Sequence, residues 1–159
     1  MTRISHPYFG PLDTDLIDDI DVIWGSQKEV NGVEIDLELW SEPGYELSEA
    51  ALNEVADAFE HLEAIDTDSR KELITYLEGD PTYIEHHRSE LPHLHLPEES
   101  EKFVSLLSLS AVSITLSSED SDEETGLCLD YAIAPDESDY LLCVTRKING
   151  EILEIAMES

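Results

Sequence analysis

Basic residues are scarce in this chain. Its 159 residues hold 8 Lys and Arg against 38 Asp and Glu, a formal net charge of −30 with the histidines neutral. Nucleic acid and anionic membrane are polyanions, so the charge argues against both as partners and for a basic protein. Cysteine is scarce too: Cys128 and Cys143 stand alone. Glycine numbers 7, scattered, which leaves no glycine-rich phosphate loop. No apolar run reaches transmembrane length, and the N-terminus has none of signal-peptide length. These absences together lead us to expect a cytoplasmic protein with two reduced thiols. Both cysteines lie in apolar, strand-like segments, where a buried inert thiol is the ordinary case.

What the chain does have is enough apolar material for a core, 41% of its residues. At this length it reads as a single domain, 1–159, with 1–19 partly irregular. Spread over a folded surface of roughly 8,000 Å², the net charges would sit about 16 Å apart. They are clustered instead, so they repel locally, and added salt should stabilise the fold.

Alternation begins near Ile20. Ile20, Val22 and Trp24 share one face, and Asn31-Gly32 is a type I′ hairpin signal. Pairing Val30 with Val33 sets Trp24 opposite Leu39, with Ile35 and Leu37 on its face. Glu34, Asp36 and Glu38 take the other face, Lys28 is the one charge near the apolar side, and Gly25 marks a candidate bulge. Helical spacing predicts helices over 49–64 (capped by Ser48), 68–79 (capped by Asp66 or Thr67), about 81–90 and 98–107. The last buries Phe103, Leu106 and Leu107. Strands follow over 111–116, 126–134, 140–148 and 151–157, the last two meeting at Asn149-Gly150 with Lys147 beside Glu154. Runs of strands and runs of helices give an α+β fold: an N-terminal β-hairpin, four helices, then a four-stranded antiparallel sheet, with the helices packed on one face.

Two acidic runs invite a metal reading and fail it. In Asp13, Asp15, Asp18, Asp19 and Asp21, the glycine position of a calcium loop is Asp18 and the closing carboxylate position is Trp24. In Glu119, Asp120, Asp122, Glu123 and Glu124, Gly126 comes one place too late. The second run is a candidate docking element for a basic partner, and Trp40, on the polar hairpin face, a candidate hot spot. Trp24, Trp40 and Tyr45 could form one aromatic patch. His86, His93 and His95 are weak candidates for a metal, with Glu85 and Glu90 nearby, but their spacing matches no zinc motif. His87 falls with Ile84 and Leu91 on an apolar helix face, as a core histidine does. No catalytic residue and no cofactor is assigned.

His6-Pro7-Tyr8-Phe9-Gly10, followed by an acidic strand and an Asn-Gly hairpin, resembles a family of small bacterial cytoplasmic proteins classed as a domain of unknown function; so does Tyr83-Ile84-Glu85-His86-His87. The resemblance spans roughly residues 6–90 and implies an α+β domain and a bacterial source, with no activity attached. In size and charge the chain is also similar to bacterial immunity proteins, acidic inhibitors of basic toxins. The expected function is a non-enzymatic interaction protein, an immunity-type inhibitor. The alternative is a metal-binding protein or hydrolase using the 86–95 histidines.

Overall fold

The computed structural model describes residues 1–117, 126–148 and 150–158. Within the first segment, expected to be partly irregular, lies a hairpin. Strands β1 (Arg3–His6) and β2 (Gly10–Asp13) pair antiparallel in a two-stranded sheet. Pro7, Tyr8 and Phe9 make the turn, and Gly10 closes it at φ +74°, a conformation glycine adopts without strain. His6 holds the turn from within. Its Nδ1 accepts from the Tyr8 N–H at 3.1 Å, which leaves Nε2 to donate to Asn53 Oδ1 at 2.7 Å. The His-Pro-Tyr-Phe-Gly motif is therefore a turn and a packing unit.

β3 (Asp21–Val30) and β4 (Val33–Ser41) form the expected hairpin, with Val30 opposite Val33 and Trp24 opposite Leu39. The register breaks between Val22 and Trp24, whereas Gly25 pairs regularly with Glu38. The bulge is thus at Ile23, not Gly25. It turns Val22 to the face of Trp40 and lets Ile23 pack against the core in its place.

Four helices follow: α1 (Glu49–Glu60), α2 (Leu62–Gly79), α3 (Thr82–Glu90) and α4 (Ser100–Ser105). Ser48 caps α1 by accepting from the Ala51 N–H at 3.1 Å. α2 starts six residues before the expected 68, so Asp66 lies inside it, buried, and not at its cap. In α4, Phe103 and Leu107 are buried as expected but Leu106 is 52% exposed, because the helix ends at Ser105, two residues before the expected 107.

β5 (Ser108–Leu116), β6 (Gly126–Ala132), β7 (Leu141–Lys147) and β8 (Ile152–Glu158) complete the chain. They do not form a separate four-stranded sheet. β5 pairs parallel with β4, Leu37 beside Val112 and Leu39 beside Ile114. The result is one six-stranded mixed sheet in the order β3-β4-β5-β6-β7-β8, and α1 to α4 lie in the crossover from β4 to β5, its second and third strands. The helices thus do not pack on a four-stranded sheet. Their buried residues, among them Leu52, Phe59, Leu73, Ile84 and Phe103, join one cluster with Leu37, Leu39, Val112, Ile114, Leu129 and Val144.

At the last hairpin Val144 faces Ile155 and Leu142 faces Met157, as the pattern requires. A further bulge, between Thr145 and Arg146, lengthens the connection, so Lys147 pairs with Glu151 at 3.4 Å and not with Glu154. Asn149 lies outside the described residues. The thiol expectation is also corrected: Cys128 and Cys143, on neighbouring strands, are joined as a disulfide.

Candidate functional site

A strand sends alternate side chains to opposite faces. Here the residues between the core-facing ones do not enter the core cluster. The register gathers them on a second face of the sheet. On β3 and β4 it carries Glu29, Glu34, Asp36 and Glu38, then Trp40 opposite Val22. β5 contributes the small residues Ala111, Ser113 and Thr115. β6 and β7 supply Cys128, Asp130, Cys143 and Thr145, and β8 adds Glu154 and Glu158. The middle of the face is small and its two margins are acidic.

Among the described residues Lys147 is the one Lys or Arg on this face, and Glu151 pairs it. Three other cations are held away from the face. Lys28 donates to the Phe59 carbonyl at the end of α1, at 2.6 Å. Arg70 bonds Asp66 at 3.0 Å and the carbonyls of Val104 and Leu107, both at 2.9 Å. Arg146 is buried on the core side against Asp68 and Ser69. The net charge of the face is therefore negative. Its middle carboxyl feels this: burial, then Glu158 and Glu38, hold Asp130 above the usual carboxylate range.

Trp40 stands on this face half-buried, outside the core cluster. Its cross-strand neighbour Val22 also lines a cleft of about 540 Å³ with Arg3, Leu12, Leu16 and Ile17. Leu16 is 79% exposed there. Apolar surface thus adjoins the acidic rows at one corner. The expected patch of Trp24, Trp40 and Tyr45 does not form. Trp24 stacks on Phe59 at 5.6 Å and meets Phe9 edge-on at 4.8 Å, on the core side. Glu119, Asp120, Asp122, Glu123 and Glu124 lie outside the described residues; they connect the ends of β5 and β6.

The histidine candidates separate. His93 pairs with Glu137 at 2.7 Å, and His86 packs edge-on against Tyr140 at 4.6 Å. His95 is exposed, with a left-handed backbone at φ +50°. His87 is buried, as expected. Its Nδ1 donates to the Tyr83 carbonyl at 2.8 Å, so Nε2 accepts from the Ser138 hydroxyl at 2.7 Å. Burial, then His86, push its pKa below the usual imidazole range. This Ser–His contact has the reach of a nucleophile–base pair. Ser138 Oγ also accepts the Tyr140 N–H, at 3.2 Å, so it serves the turn as well.

Among the described residues, the donors that do converge are Cys128, Asp130 and Cys143, whose ligand atoms lie within 4.8 Å of one another. Sequence reasoning missed this group. Cys128 and Asp130 alternate onto one face legibly, but Cys143 joins them only through the β6–β7 register, across a connection too long to fix it from sequence. It also missed the Asp66 hub, where Tyr131 donates at 2.7 Å and Asn31 at 2.8 Å. No helix among the described residues is long and apolar enough to cross a membrane. Comparison with family models, characterised proteins and solved structures returned no match.

Proposed function

We propose that the chain is a non-enzymatic interaction protein that occludes a basic partner, of the immunity type, acting in the bacterial cytoplasm. The observation that carries the reading is the second sheet face: carboxylates of one sign on a rigid sheet, with Trp40 and Val22 at their border. Lys and Arg of the partner's cleft would meet Glu34, Asp36 and Glu38, and the Trp40 corner would supply the apolar anchor. The carboxylates of 119–124, expected from the sequence to be a docking element, would add to the charge the partner meets. Charge complementarity would speed encounter, so the association rate should fall steeply between low and physiological salt.

The test compares capture from the native host by three forms of the chain. One is wild type, one carries Glu34→Lys, Asp36→Lys and Glu38→Lys, and one carries Glu54→Lys, Glu72→Lys and Glu101→Lys on the helices. The proposal expects a basic protein held by the first and third and lost by the second. Equal capture by all three overturns it.

The contact between Ser138 and His87 supports a second reading, a serine hydrolase with Ser138 as nucleophile and His87 as base. A fluorophosphonate probe that labels Ser138 in wild type and not in His87→Ala would support it; an unlabelled wild type removes it.

A further inference from the structure

Cys128, Asp130 and Cys143 sit where a metal chemist would place them. Asp130 is directly opposite Cys143 across β6 and β7, and Cys128 is two residues along the same strand, so all three reach the same side of the sheet. The Cys128 sulfur lies 3.6 Å from Asp130 Oδ1. A tetrahedral zinc ion with Zn–S of about 2.3 Å and Zn–O of about 2.1 Å spaces its sulfur and oxygen ligands by about 3.6 Å. In the disulfide that sulfur carries no proton, so the 3.6 Å contact donates nothing to the carboxylate. No ion pair to Asp130 occurs among the described residues, although Glu38 and Glu158 lie close enough to act on it electrostatically. Asp130 is thus a half-buried carboxylate set among carboxylates and sulfur.

We propose that reduction of the Cys128–Cys143 disulfide opens a three-ligand site for Zn²⁺, made by the two sulfurs and the Asp130 carboxylate, with the fourth position left to water. Two molecules of a small thiol supply the electrons. They become one external disulfide while Cys128 and Cys143 become thiols. Zn²⁺ then displaces both thiol protons to solvent and forms two Zn–S bonds and one Zn–O bond, its oxidation state unchanged. Oxidation by an external disulfide reverses the sequence and releases the ion. Sulfur donors select zinc over calcium or magnesium, which demand oxygen cages. The sheet fixes the strands in either state, so only the side-chain rotamers need change. In a reducing compartment the dithiol form is the one expected. This inference does not rest on the basic partner.

Co²⁺ tests it, because thiolate ligation gives a sulfur-to-cobalt charge-transfer band that histidine and carboxylate sites lack. The full chain is titrated with Co²⁺ in excess Mg²⁺, which occupies the acidic surface. One sample is held reduced by a phosphine, and another is oxidised to the disulfide. The expected result is a band that saturates at one equivalent in the reduced chain, is erased by one equivalent of Zn²⁺, and is absent from the oxidised chain. Asp130→Asn, with an unchanged far-UV spectrum, should weaken binding at least tenfold. No band in the reduced chain, or the same binding in both redox states, overturns the site; unchanged affinity in Asp130→Asn overturns the ligand set.

Discussion

Asp66 shows how much one buried charge organises here. It is 2% exposed and takes hydrogen bonds from Asn31 in the β3–β4 turn, Arg70 on its own helix and Tyr131 on β6. Removing one donor from a buried acceptor costs its desolvation, so Tyr131→Phe should lower stability by about 1–3 kcal/mol. Urea unfolding should show a lower midpoint at an unchanged slope. The buried His87 sets a pH dependence. Its folded pKa lies below the unfolded value near 6.5, so the stability it contributes is present above that value and is lost as pH falls through the folded pKa. Other groups titrate in the same range, but the difference between wild type and His87→Asn isolates this one. The wild-type advantage should shrink between pH 7 and pH 5; an advantage that grows would contradict the assigned neutral state. Sequence alone showed His87 as a core residue, because it repeats with Ile84 and Leu91. Asp66 gave no such sign, since its partners lie on three distant segments.

Local elements were legible where a local rule fixed them. The Asn31-Gly32 turn set the register of β3 and β4 down to Trp24 opposite Leu39, and Ser48 set the start of α1. The parallel pairing of β4 with β5 was not legible, because no turn residue marks a crossover that spans four helices. That single pairing turns a hairpin and a four-stranded sheet into one six-stranded sheet, and it brings the acidic row of β4 beside the small residues of β5. The bulge was placed wrongly for a related reason: Gly25 looks like a break in a strand, but Ile23 makes the break to reach the core. Gly25 pairs regularly, and a Cβ there would meet only the Leu37 carbonyl oxygen at an ordinary 3.7 Å. Gly25→Thr should therefore raise stability by about 0.5–1 kcal/mol in thermal or urea unfolding, whereas a bulge glycine would lose stability on the same change.

Across the whole molecule the charge is a surface property with an address. Of the eight cations, Lys28 and Arg70 bond carbonyls at helix ends and Arg146 is buried on the core side, and Lys147 stands on the second face paired with Glu151. Like charges so arranged repel, so the melting temperature should rise as NaCl goes from low to physiological concentration; a flat or falling trend would contradict this. The carboxylates of that face were readable as the polar side of a hairpin, but their junction with Asp130, Glu154 and Glu158 required the sheet order. The most direct test of the central claim, that this face receives a basic partner, is an amide NMR titration with an oligo-arginine peptide at physiological ionic strength. Shifts concentrated on Glu34, Asp36, Glu38, Trp40 and Ser113 are the predicted result. Shifts centred on the acidic residues of α1 and α2, or spread in proportion to charge, would contradict it.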